Sequence, residues 1–296
     1  MKLLNKSEEI TFQKLSSIIK DHGVRLFSKP RVADVLPIVG SGIGKELFSY
    51  CLKAHFDFVI TNSETEPLFA IEYDGPLHKS DQQQIFRDVQ KNDICQRLDF
   101  PLLRIKATWI NREYRGMDLL TYFVDSWFQA EAFYEAQKNG IIPYDEIFDP
   151  TLIVYNPSKN QQWPYWISLD IQLEFQKMHK AGNIIDILAS DWVGVDREDN
   201  YRCISWLLVR EGEYAIAETG IRSQNFCVDE CWLLYQLSLF DLLKKIELML
   251  QGQKGTTANE FKQMLTYYES NYEMRSAGSL IRDCKKETFG NIPYAK

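Results

Sequence analysis

Residues 68–78 read LFAIEYDGPLH. The first four form the apolar run of a buried strand. Glu72 and Asp74 follow two positions apart, Gly75-Pro76 close the strand, and His78 comes next. Side chains alternate faces along a strand, so Glu72 and Asp74 share one face while Ile71 and Tyr73 point to the other. Two carboxylates side by side in an interior repel each other and lose hydration, and both effects disfavour their ionised forms. Something must offset that charge.

The preceding segment HFDFVIT, residues 55–61, is a second strand, and the polar stretch NSETE makes the pair a hairpin. Asp57 sits there between Phe56 and Phe58, so pairing of the two strands would bring three carboxylates, Asp57, Glu72 and Asp74, to one end of a sheet. A divalent cation would relieve them. Hard oxygen donors with positions left for water and phosphate suit Mg2+ or Mn2+. In the alternative reading Asp57 caps a turn, and Glu72 and Asp74 line a wet sheet face beside Lys or Arg partners.

Working outward, residues 80–98 predict a polar helix capped by Ser80 or Asp81, with Ile85, Val89 and Phe86 facing inward. Gln84, Arg87, Asp88 and Lys91 recur at three and four residues and share a face. A helix crossing back over the sheet would present Lys91 above the carboxylates, where it can orient or deprotonate a water or offset charge on a phosphate. FPLLRIKA (100–107) predicts another strand and VRLFSK (24–29) a further one. Residues 7–20 predict a helix with Ser7 as N-cap and Ile10, Leu15, Ile18 and Ile19 on one face. Residues 117–138 predict an aromatic-rich helix. This order implies an α/β layer architecture, a mixed sheet with helices on its faces. GSGIGKE (40–46) is no phosphate loop, because position 39 is Val where that motif needs Gly, and Glu46 follows Lys45 where it needs Ser or Thr. It reads as a Gly-rich turn into a short helix.

Taken in order, FDFVI, PLFAIEYDGPLH, RDVQKND and FPLLRI resemble the PD-(D/E)XK nuclease superfamily. Within it the likeness is to bacterial domains of uncharacterised function related to the very-short-patch-repair endonuclease. SEEITFQKL (7–15) resembles their opening helix, which carries a Glu near the site. The likeness runs from residue 6 to about 110 and implies a restriction-endonuclease-like core that hydrolyses phosphodiesters with Mg2+ or Mn2+, DNA ahead of RNA. It implies Asp57 and Glu72 as metal ligands, with Asp74 and Glu8 as further ligands and Glu9 as the reading shifted by one. Asp74 stands where the superfamily's name places Lys, so Lys91 takes the catalytic lysine's part, and Phe56 rather than Pro precedes Asp57. Asp74 and His78 complete the catalytic set, His78 against a phosphate or a metal-bound water, or else as a stabiliser of the turn. Arg87 and Asp88 either pair or act, and Arg104 faces phosphate or supports an acid. The contexts the family implies are DNA repair, restriction or phage defence. The rival reading keeps the fold without cleavage, as a module that binds nucleic acid or a partner protein.

The chain has 296 residues, 45% hydrophobic and 13% aromatic, enough for two cores. IIPYDEIFDP (141–150) is the candidate boundary between a nuclease domain at 1–140 and an α+β recognition, regulatory or assembly domain at 150–296. In that second part TLIVYN predicts a strand and LDIQLEFQKMHKAG a helix stopped by Gly182. YRCISWLLVR and YAIAETGIR predict a hairpin, and 228–250 a strongly apolar helix for a core, an oligomer interface or a partner protein. NQQWPYWISL groups aromatics around a proline, as a packed domain entry or a base-stacking surface. The net charge of −7 is uneven. Residues 1–110 carry 15 Lys/Arg and 14 Asp/Glu, and the remainder 19 and 27. That balance argues against broad nucleic-acid coating and leaves room for a local basic groove in the first part. No apolar run approaches the ~20 residues that span a bilayer, so no membrane is expected. The opening residues lack the apolar stretch of a secretory signal, and six cysteines show no framework spacing. The expectation is a cytoplasmic protein, with Cys227 and Cys231 as packing residues.

Overall fold

The computed structural model describes residues 4–75, 82–114, 116–149, 167–224, 226 and 228–278. Two compact units divide the chain: Met1–Ile153 with Gln224–Val228, and Val154–Ser223 with Asp229–Lys296. His78, Ser80, Asp81, TLIVYN, Cys227 and the WPYW aromatics lie outside the described residues.

In the first unit the chain runs α1 (Lys6–Ile18), β1 (Arg25–Ser28), α2 (Val32–Val35), α3 (Lys45–Cys51), β2 (Phe58–Thr61), β3 (Pro67–Asp74), α4 (Gln82–Arg97) and β4 (Leu102–Lys106). It continues through α5 (Ala107–Asn111), β5 (Glu113–Tyr114), β6 (Met117–Asp118) and α6 (Leu119–Lys138). Strands β1 to β4 form one sheet in sequence order. The first three are antiparallel neighbours, and β4 returns parallel to β3 after α4. The fold is therefore α/β with a mixed sheet. A parallel return needs a crossover, and α4 supplies it.

The two faces of this sheet are covered differently. Val59, Ala70 and Leu102 meet Leu47 and Cys51 of α3 and Ile94 and Cys95 of α4 in one core. On the other face the Phe58 ring lies tilted against Phe12 of α1, and Phe69 against Trp127 of α6. The segment Gln224–Val228 belongs to this second core: Phe226 lies edge-on to Phe69, and the Gln224 side chain accepts from the Arg104 backbone N–H at 2.7 Å. That bond occupies a donor on the open edge of β4. Helix α1 is capped by Asn5, two residues earlier than Ser7 would place it. The Asn5 side chain accepts from the Glu8 N–H while Glu8 accepts from the Asn5 N–H, a reciprocal capping box.

The second unit comprises α7 (Leu169–Lys180), β7 (Ser190–Val195), β8 (Asn200–Arg210), β9 (Glu213–Arg222), α8 (Glu230–Leu250), β10 (Thr256–Thr257), α9 (Ala258–Asn271) and β11 (Glu273–Gly278). Its five strands among the described residues are antiparallel, in the order β10-β9-β8-β7-β11. Gly212 turns the β8–β9 hairpin at φ +74°, a conformation only glycine adopts without strain. Leu207 and Val209 pack with α7 and α8, whereas Ile204 and Trp206 pack with α9. Covering both faces explains why CISWLLV is apolar almost throughout. Burial pushes the Cys231 thiol up to about 12, which keeps it neutral. Among the described residues no helix is long and apolar enough to cross a membrane.

Candidate active site

The β3–β4 register builds the site. Ala70 pairs with Leu102, Glu72 with Arg104 and Asp74 with Lys106, all parallel. One sheet face thus passes from apolar to charged within four residues. Helix α4 lies over it and changes in step, from Ile94 and Cys95 above the apolar end to Asp88 and Lys91 above the charged end.

Glu72 is 4% exposed and Lys91 7% exposed. Their charged atoms lie 2.6 Å apart. The Lys91 ammonium also donates to the His55 carbonyl at 2.9 Å, and the second Glu72 oxygen accepts from the Asp57 backbone N–H at 3.1 Å. Burial pushes the Glu72 carboxyl up, Lys91 pulls it back, and Asp57 pushes it up again. The balance leaves it raised. The lysine expected from the helix therefore does reach the strand carboxylate.

Asp57 is held on every side. Its Oδ2 accepts from the Tyr73 N–H at 2.8 Å, its Oδ1 from the Lys29 ammonium at 2.6 Å, and its carbonyl from the Lys29 N–H at 2.9 Å. The same ammonium donates to Glu8 Oε1 at 2.9 Å. Lys29 adopts φ 55°, in the left-handed region. For a non-glycine residue that conformation costs about 1 kcal/mol or more and tends to gather at functional sites. Burial alone would lower the Lys29 pKa; the hydrogen bonds to Asp57 and Glu8 reverse that and raise it. Of the two glutamates at the start of α1, Glu8 joins the site and Glu9 is exposed.

The expected gathering of three carboxylates is corrected at Asp74. Its Oδ1 lies 2.8 Å from the Arg104 guanidinium, which also approaches Asp88 Oδ1 at 3.4 Å and donates to Asn92 Oδ1 at 2.8 Å. Burial works against the Arg104 charge, and Asp74, Glu72 and Asp88 outweigh it, so its pKa is raised. The charge on the strand is thus offset by three basic side chains, Lys29, Lys91 and Arg104. This is the pairing that the alternative reading of the sequence contained, with Glu72 buried rather than wet.

Among the described residues no group of three or more His, Cys, Asp or Glu side chains is arranged to hold a metal ion. Asp57 and Glu72, joined by the hydrogen bond from the Asp57 backbone N–H to the Glu72 carboxylate, are the two carboxylates that would hold one of the kind expected. A Mg2+ or Mn2+ ion characteristically takes one or two protein carboxylates and keeps water and phosphate for the rest. Asp57 and Glu8 already share a cation, the Lys29 ammonium. Glu8, Asp57, Glu72 and Lys91 open onto a cleft of about 1080 Å3, whose other wall includes Tyr50 and Arg87.

Helix α4 carries a second correction. Ile85, Phe86 and Val89, expected inward, are 43%, 61% and 51% exposed. The sheet beneath the first half of α4 is charged, so the charged face turns in. Sequence reasoning missed Lys29 altogether; its one local signal is its place at the end of β1 before Pro30.

The fold and site together define an α/β domain whose mixed sheet holds a buried carboxylate–lysine pair at a polar cleft. A family model described as a protein of unknown function (DUF2726) matches residues 1–118, the stretch that carries Glu8, Lys29, Asp57, Glu72 and Lys91. No curated protein and no solved structure matches the chain.

Proposed function

We propose that the chain is a metal-dependent nuclease that hydrolyses phosphodiester bonds at this cleft, DNA ahead of RNA, in the cytoplasm. The observation that carries this reading is the buried Glu72–Lys91 pair beside Asp57. A protein does not readily bury a carboxylate and an ammonium for stability alone, since the desolvation cost rivals the Coulombic gain. Such a pair at the floor of an open cleft is a candidate for chemistry. The resemblance of the surrounding motifs to the PD-(D/E)XK superfamily points the same way.

In this account Asp57 and Glu72 would hold the Mg2+ or Mn2+ ion. Bound there, it would polarise the scissile phosphate and acidify water. Lys91, fixed by the His55 carbonyl, orients the attacking water and offsets charge gathering on the phosphoryl oxygens. Water adds to phosphorus and gives up a proton to solvent, the phosphorus–oxygen ester bond breaks, and the leaving oxygen takes a proton from solvent. Arg104 holds Asp74 and Asp88 and so fixes α4 over the strand; it is a positioning residue. The second unit serves recognition, regulation or assembly, through a partner protein or a second copy.

Cleavage of supercoiled and single-stranded circular DNA tests the reading. The parent protein is expected to nick with Mg2+ or Mn2+ and not with EDTA, and D57A, E72A and K91A each lose activity while remaining folded by circular dichroism. Full activity in E72A removes the proposal. A second reading, nucleic-acid binding without turnover, is favoured by one observation: each acid at the site already has a basic partner. It predicts salt-sensitive affinity with no product.

A further inference from the structure

The outward apolar residues of α4 are not equivalent. Ile85 and Val89 face away from the cleft, while Phe86 lines it. Arg87 follows Phe86 on α4, and Tyr50 of α3 and Lys53 of the turn after it line the same cleft. The Tyr50 hydroxyl donates to the Arg87 carbonyl at 2.8 Å, which ties the two helices into one wall. The cations of this wall differ from those of the floor. Lys29, Lys91 and Arg104 are bound by carboxylates, whereas Lys53 and Arg87 have no ion-pair partner among the described residues.

An exposed ring flanked by uncommitted positive charges combines the two chemistries that hold unpaired nucleic acid, stacking on a base and attraction to the backbone. Continuous duplex answers only the second, because each base face is covered by its neighbours. Lys29 and Lys91 offset two of the three acids at the floor, Glu8, Asp57 and Glu72, and the two cations of the wall outnumber the one charge that is left. We infer that this wall seats an unpaired stretch of nucleic acid, with Phe86 stacked on a base and Arg87 and Lys53 against the flanking phosphates. The inference rests on reading the cleft as a nucleic-acid site and specifies the strand form that site takes.

Fluorescence anisotropy with the full chain in EDTA tests it without any cleavage, using labelled oligo-dT, oligo-rU and a duplex of the same length. Both single strands are expected to bind more tightly than the duplex. F86A should weaken oligo-dT binding about tenfold, as loss of one stacked base does, and F86W should restore it. I85A, on the same helix but outside the cleft, should leave affinity unchanged. R87A should reduce the slope of log affinity against log salt by about 0.7, the value for one phosphate of a single strand. Parental affinity in F86A, equal binding of duplex, or no binding of either single strand at low salt would each overturn the inference. A chain that binds oligo-dT through Phe86 and never cuts keeps this seat and ends the hydrolytic reading. A chain that cuts while F86A binds like the parent does the reverse.

Discussion

Lys91 reaches from α4 to within 2.6 Å of the Glu72 carboxylate on β3, and neither residue is more than 7% exposed. The pair links a helix to a strand at the point where their shared core turns from apolar to charged. Removing one member strands the other in a medium that cannot solvate it. K91M is therefore expected to destabilise the chain by about 3 kcal/mol, as a broken buried pair does. The double variant E72Q/K91M should recover at least half of that loss, because Gln still accepts from the Asp57 N–H and no charge remains. Urea denaturation of the two single variants and the double closes the cycle. Additive losses would mean that the two side chains do not interact.

Lys29 competes with any ion that Asp57 would hold. Its ammonium lies 2.6 Å from Asp57 Oδ1 and 2.9 Å from Glu8 Oε1, so a metal at Asp57 must displace one charge-assisted hydrogen bond or share its oxygen. Such a bond is worth ~1.5 kcal/mol or more. K29M is expected to bind Mn2+ about tenfold more tightly by calorimetry. Weaker binding in K29M would make Lys29 a support for the metal site, not a competitor.

In the second unit, Asp191 on β7 is buried and accepts from the Gly278 backbone N–H. Burial pushes its pKa from 3.8 up to about 6. A carboxyl raised in the folded state favours folding while it is protonated in both states. That advantage is lost as pH rises from its unfolded value through its folded one. Between about pH 4 and pH 6 the parent should therefore lose stability relative to D191N, by about 2 kcal/mol in all. Urea midpoints of the two proteins across that range check it; a constant difference would place the cost elsewhere.

The sequence made the main strands legible because each is an apolar run between turn residues. It made Glu72 and Lys91 legible because strand and helix periodicities set which side chains share a face. The reading of α4 failed at Ile85, Phe86 and Val89 for a physical reason. Amphipathic periodicity locates the core only where the surface beneath the helix is apolar, and here it carries Glu72, Asp74 and Arg104. The link between Arg104 and Asp74 depends on the parallel register of β3 and β4, which local sequence does not encode. Lys29 depends on a left-handed residue and on partners 21 and 28 positions away. Strand β11, Glu273–Gly278, is polar and lies at a sheet edge, so it shows no apolar alternation.

The central claim is that Asp57 and Glu72 share one divalent cation. Anomalous diffraction from crystals of the protein grown with Mn2+ measures this most directly. The account predicts one strong peak within coordination distance of both carboxylates, with the Lys29 ammonium moved off Asp57. A peak elsewhere, or Lys29 still seated on Asp57 at saturating Mn2+ with no peak beside it, would contradict it.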